Sequence, residues 1–300
     1  MKDTTSLKKN ITRYKTSYVM IGPYMLLFCM FTVLPVTISM FLSFTNYNLL
    51  QAPSFVLVEN YRRLFLEDDV FLTAIKNTLV IAVITGPISY MACFLLAWMI
   101  NDFNPKIRAI LTTVFYAPSI SGSMYMIWQI MFSSDSYGFI NSFLIQWGFI
   151  SSPIAWLQDQ RYILAVVIIV SVWMSLGTSF LAFIAGLQGI DKSLMEAGSV
   201  DGITNRWQEL WYITLPSMKP QLMFGAVMQI TTSFGAGAVS AGLAGLPSVD
   251  YSAHTIVNHI TDYGGMRFEM GYASAIATIL FIVMIVVNEI VQSLLKKVGN

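Results

Sequence analysis

The sequence predicts an all-α, polytopic membrane protein with six spanning helices and both ends on one side, on three observations. Of 300 residues, 56% are hydrophobic and only 11% charged, with a mean hydropathy of +0.65; soluble domains carry roughly 25% charged residues. Six apolar segments recur, each near or above the roughly 20 residues a helix needs to cross the hydrocarbon core. Finally, Lys and Arg are divided unequally between alternate connections, which is how a multi-span chain records its orientation.

The segments follow in order. Residues 1–16 form a short basic lead, and residues 17–300 the membrane domain. The first span, about 17–44, is too long for a signal-peptide core of roughly 7–15 residues and reads as a retained helix; Pro35 is a candidate kink. A polar connection over 45–71 leads to the second span, about 74–100, with a bend expected at Gly86-Pro87. The third, about 109–132, is interrupted by Tyr116-Ala117-Pro118-Ser119 and Ser121-Gly122-Ser123. Its following loop carries Trp147 and Trp156, residue types that anchor at membrane–water interfaces. The fourth span is about 163–187, the fifth about 221–243 and the sixth about 270–295.

The two termini and the connections around Lys106 and Lys192–Lys219 hold 12 of the 17 Lys and Arg, and the opposite side holds 5. The positive-inside rule therefore places both ends in the cytoplasm, with the loop 188–220. A net charge of +1 supplies no basic face for nucleic acid. Cys29 and Cys93 lie within apolar segments without metal-ligand spacing and read as small hydrophobes. His254 and His259 stand apart in one extracytoplasmic loop and read as solvated imidazoles.

The loop 188–220 breaks the apolar pattern. Glu196, Asp201, Arg206 and Glu209 fall within fourteen residues. Asp201-Gly202 predicts a sharp turn. A short helix is expected over Thr204–Tyr212, with Trp207, Leu210 and Trp211 on one stripe. Leu215-Pro216 should end it, and Pro220 open the next segment. Two short amphipathic helices around a turn make a docking device.

Elsewhere, absences direct the reading. No Gly-x-x-x-x-Gly-Lys-Ser/Thr occurs, so no phosphate-cradling loop of that kind is available. Apart from Lys76 at the very start of the second span, Glu289 is the one charged residue placed within a span, which disfavours an ion-coupled carrier working alone. The fifth span is crowded with Gln229, Thr231, Thr232, Ser233 and Gly235. Such residues serve helix packing or line a wet cavity; with Tyr116, Ser119, Ser175 and Ser179 in neighbouring spans they favour an uncharged polar cavity suited to a neutral polyol such as a sugar.

Glu196-Ala197-Gly198, Asp201-Gly202, Ile213, Leu215-Pro216 and Pro220 resemble the EAA signature of permease subunits in binding-protein-dependent ABC importers. Asn77-Thr78-Leu79, Phe115–Gly122, Gly138-Phe139-Ile140-Asn141, Ala185-Gly186-Leu187-Gln188 and Gly271-Tyr272-Ala273-Ser274-Ala275 extend the likeness to the maltose and multiple-sugar permeases. Gly198 and Ile203 stand where that pattern has Ala, and no very large extracytoplasmic loop is present. The resemblance implies a type I importer permease in the bacterial or archaeal plasma membrane. It implies a second, similar permease, two ATPase subunits that use ATP and Mg, an extracytoplasmic solute-binding protein and a sugar cargo; this chain itself would bind no cofactor. It also implies ATPase coupling through Glu196, Ala197, Gly198, Asp201, Gly202, Trp207, Leu215 and Pro216. Sugar contacts would fall at Tyr116, Ser119, Ser175, Ser179, Phe180, Thr231, Thr232 and Gly235. Glycerol phosphate or an anionic oligosaccharide is the alternative cargo.

Overall fold

The computed structural model describes residues 14–296; the lead 1–13 and Lys297 lie outside the described residues. Among these the chain is helical, with no strand beyond an isolated bridge between Thr45 and Phe55. Five helical stretches are long and apolar enough to cross a membrane: α1 (Lys15–Leu42), α3 (Asp69–Asn101), Ile163–Gln188, Lys219–Ala244 and α14 (Met270–Lys296).

The expected third span arrives in two pieces, α4 (Pro105–Ile120) and α5 (Tyr125–Met131). The helix carries on through Pro118 and stops at Ser121, whose backbone is extended (φ −92°, ψ 111°). Neither piece alone reaches spanning length. Breaks also divide Ile163–Gln188 into α7 (Ile163–Met174) and α8 (Thr178–Gln188), and Lys219–Ala244 into α11 (Lys219–Phe234) and α12 (Gly237–Ala244). At Gly86-Pro87, where a bend is expected, α3 stays helical through both residues. In α1 the chain passes through one wide turn, Cys29–Val33, just before Pro35. A turn of this kind accommodates a proline ring that would otherwise collide with the preceding turn.

Three connections read as loops contain helices: α2 (Glu59–Leu66), α6 (Phe139–Gln146) and α13 (Ile256–Thr261). The packing centre is α3, which contacts α7, α8 and α11; α11 packs on α14, and α14 on the second half of α1. Phe94 of α3, Phe180 and Phe183 of α8, and Leu222 of α11 share one buried cluster with Leu210 and Met218. Most of α1 buries nothing, so its apolar surface is left for lipid or another subunit. Glu289 is exposed on α14.

Candidate functional site

The segment 188–220 folds as a helix–turn–helix. Asp191 caps α9 (Lys192–Val200), its carboxylate accepting from the Ser193 amide at 2.9 Å. Gly202 then turns the chain with φ +95°, a left-handed value that costs a side-chain-bearing residue roughly 1–2 kcal/mol. The amides of Asp201 and Ile203 return to the carbonyls of Ala197 and Gly198 at 2.9 Å each, closing the C-terminus of α9. Asn205 caps α10 (residues 206–217) by accepting from the Gln208 amide, and the Gln208 side chain accepts from the Thr204 amide, both at 2.9 Å. Asn at the cap with Gln three residues on is close to a capping box.

α10 ends later than the sequence suggests. A wide turn over Leu210–Thr214 carries it past Leu215-Pro216 to Ser217, where Pro216 occupies the first positions of a new helical turn and so has no amide to miss. The expected stripe divides as well. Leu210 is buried with Phe183 and Leu222, whereas Trp207 and Trp211 are mostly exposed.

Two attachments fix this device to the spans. Leu210 and Met218 insert beneath it into the α3–α8–α11 core. On its flank, Arg206 pairs with Asp102 at 2.7 Å and lies 4.5 Å over the Trp98 ring, while Trp207 sits 5.3 Å from the same ring. Asp102 and Trp98 belong to the end of α3, so a push on α10 reaches the central helix directly. The opposite side holds an open hollow of about 540 Å³ lined by Ala197, Gly198, Gly202, Ile203 and Tyr212 among others. Ala197 of this lining and the preceding Glu196 are exposed, and Glu196 has no ion pair or hydrogen bond among the described residues. An unpaired carboxylate, exposed aromatics and a hollow thus share one exposed segment.

Gly198 explains its own presence. A Cβ there would stand 2.6 Å from Ile213 Cδ1 and 3.0 Å from Ile203 Cδ1. Ile213 first, and Ile203 beside it, fill the space that an alanine methyl at 198 would take.

The residues expected to meet sugar separate into two groups. Thr231, Thr232 and Gly235 are exposed, and both threonine hydroxyls bond back to the carbonyls four residues earlier. Tyr116 and Ser119 are half-buried, Ser119 Oγ donating to the Tyr116 carbonyl at 2.8 Å. Ser175, Ser179 and Phe180 are buried. Ser179 Oγ lies 3.0 Å from the Gly225 carbonyl and 3.2 Å from Gln229 Oε1, binding α8 to α11. Phe180 packs edge-on against Phe115. In this conformation the second group holds helices together, and only the first is open to a solute.

The histidine expectation is overturned. His254 and His259 are 1% and 2% exposed, with their rings 3.2 Å apart from Nε2 to Nδ1. His259 Nε2 donates to Asp68 at 3.0 Å, and the Tyr272 hydroxyl donates to the same oxygen at 2.7 Å. That carboxylate also caps α3 by accepting from the Phe71 amide. The chain of donors assigns His254 Nε2–H to His259 Nδ1, leaving His254 Nδ1 as a buried atom without a partner. Around it stand the ion pairs Arg63–Glu269 and Arg267–Asp262, with Arg63 4.2 Å over Tyr272. The cluster ties the loop before α14 to the start of α3. It escaped sequence reasoning because its parts lie about 190 residues apart; the one local signal was Asp68 at the head of a long apolar run.

Burial, followed by the neighbouring His259, lowers the His254 pKa to about 4. Burial works to raise the Asp68 pKa, but hydrogen bonds from His259, Tyr272 and the Phe71 amide outweigh it and hold the carboxyl well below its usual range. Both groups bind protons more readily in the unfolded chain. Stability is thus full above the unfolded imidazole value near 6.5 and is lost as pH falls through about 4. Thermal midpoints should be level from pH 8 to 7 and drop steadily from 6.5 to 4. His254→Gln should flatten the upper part of that fall; an unchanged profile in the variant would assign it to other groups.

A helical membrane domain carrying a helix–turn–helix anchored to its central span has the architecture of a transport permease. Residues 16–298 match the family described as the binding-protein-dependent transport system inner membrane component, and the chain belongs to it. The probable ABC transporter permease protein YesP of Bacillus subtilis (strain 168) is 34% identical over 95% of this chain and 90% of its own. The arabinooligosaccharides transport system permease protein AraP of the same organism is 30% identical over 91% and 86%. A crystal structure of a bacterial alginate ABC transporter, in complex with an alginate-pentasaccharide-bound periplasmic protein, superposes with a TM-score of 0.72 at 25% identity and 94% coverage of each chain.

Proposed function

We propose that this chain is one permease subunit of an ATP-driven importer for a sugar or oligosaccharide. The observation that carries the proposal is the helix–turn–helix 188–220, whose exposed Glu196 and hollow stand ready for a partner while Arg206 and Leu210 bind it to the core. ATPase subunits dock there and use ATP with Mg; their closure pushes α10, and through Asp102 and Trp98 the push reaches α3. The chain alternates between two conformations whose populations ATP binding to its partners resets. α4 and α5 together make a sixth crossing, which returns both ends to the cytoplasm.

A second permease meets the apolar surface of α1 and completes the pathway, and an extracytoplasmic solute-binding protein delivers cargo. Relatives named for arabinooligosaccharides and alginate support a saccharide. The open polar set Tyr116, Ser119, Thr231 and Thr232 supplies hydroxyls and an aromatic ring without a cation, which suits a neutral sugar. An anionic cargo such as glycerol phosphate would draw its cations from the partner permease.

Glu196→Lys should abolish uptake in vesicles holding the full assembly, while the chain inserts in normal amount and ATPase subunits no longer co-purify. Normal uptake in that variant would remove the coupling role. Uphill or ion-driven flux by the chain reconstituted alone would remove the importer reading. Thermal shifts of the cognate binding protein against neutral and phosphorylated sugars would decide the cargo class.

A further inference from the structure

We infer that α6 lies flat in the outer headgroup layer of the bilayer and anchors the extracytoplasmic cap of the permease to lipid. Phe139, Phe143 and Trp147 recur every four residues along one side of α6, and all three are exposed, Trp147 by 68%. The Phe143 and Trp147 rings pack at a tilt with centroids 5.4 Å apart, and exposed Phe149 follows. The opposite side faces inward. There Asn141 is fully buried, its amide donating to the carbonyls of Ser133, Asp135 and Ile154 and its oxygen accepting from the Ile154 amide and Trp156 Nε1. The two tryptophans of this loop thus have opposite roles: Trp156 holds the cap together, and Trp147 points away from it.

The height of α6 follows from its attachments. Ser133 is two residues beyond the end of α5, and Leu157 of the cap shares a buried cluster with Phe132 and Ile163, the points where the chain leaves α5 and enters α7. α6 is therefore held where the spans emerge from the apolar layer. One crossing, α7 with α8, separates it from the segment 188–220, so it lies on the opposite side of the membrane.

Composition selects lipid as the occupant. Residues 136–158 contain no Asp, Glu, Lys or Arg, so no charge has to leave water when this side settles against the acyl chains. Exposed Trp and Phe along one side of a short helix whose other side is held to the cap are the side chains that settle at the boundary between headgroups and acyl chains.

The test uses the whole transporter in phosphatidylcholine–phosphatidylglycerol vesicles, with and without bromine on the acyl chains. The emission difference between the parent and Trp147→Phe isolates Trp147 from the other tryptophans. That difference should lose most of its intensity in brominated vesicles and resist aqueous iodide. Paired Phe139→Ser and Phe143→Ser changes should weaken the bromine effect without shifting the melting midpoint, since the Asn141 contacts remain. Quenching by iodide with no response to bromine would overturn the inference. So would protection from iodide that develops only when the solute-binding protein is added, which would make this side a protein-docking surface.

Discussion

Gly198→Leu is expected to abolish coupled uptake while the chain still inserts and its spans still pack. The new side chain would have to enter where even a Cβ stands 2.6 Å from Ile213 Cδ1 and 3.0 Å from Ile203 Cδ1. Overfilling a packed contact costs roughly 1–3 kcal/mol. That is too little to unfold a helical domain whose main core, around Phe94, Phe180 and Phe183, lies elsewhere, but enough to lift α9 off α10. With α9 displaced, Glu196 and Gly202 lose their places beside the hollow. Uptake and ATPase stimulation in the reconstituted assembly measure the effect, and wild-type values for both would refute it. Gly198→Ala offers a finer version: partial loss alone, and recovery when Ile213→Val removes the Cδ1 that the new methyl meets. Failure of that second change to restore function would show that the contact is not what Gly198 serves.

Asn141→Ala should be the most destabilising single change in the cap between α5 and α7. Five hydrogen bonds at 2.8–3.2 Å converge on that side chain in a fully buried position. Each buried group left without a partner costs roughly 1–3 kcal/mol, so a loss of about 3 kcal/mol or more is expected even after some groups find water. The pairing of Asn141 with Trp156 Nε1 gives a direct readout in tryptophan emission during melting. Asn141→Asp should be no milder, because a carboxylate would face the three carbonyls that now accept from the amide. A melting midpoint within error of wild type for either variant would mean that the cap is held by its apolar contacts alone.

Legibility in the sequence followed the range of the interactions. The turn at Gly202, Pro220 at the head of α11 and the interruption near Ser121 were readable because each depends on a few neighbouring residues. The extent of α10 was misjudged because Leu215-Pro216 resembles a stop, whereas burial of Leu210 and Met218 in the core holds the helix through a wide turn to Ser217. The histidines were misread for a related reason: nothing near His254 or His259 announces Asp68 and Tyr272. Among the residues matched to sugar contacts, those facing an opening (Thr231, Thr232, Tyr116) could not be told from those binding helices together (Ser179, Phe180), since both kinds are small, polar or aromatic and lie in broken spans.

By itself the sequence determined that this chain is helical, that it belongs in a membrane and that its polar loop 188–220 turns at Gly202. Hydrophobic length, charge partition and turn chemistry are properties of short windows, and the bilayer and the backbone enforce them without reference to the rest of the fold. The tertiary structure alone decided that Ile213 and Ile203 leave no room for a methyl at Gly198, that Arg206 pairs with Asp102 at the end of α3, and that Asp68 and two buried histidines tie the loop before α14 to the start of α3. Those are matters of close packing and buried hydrogen bonding between residues distant in the chain. They acquire an energy only when water has been excluded from between them.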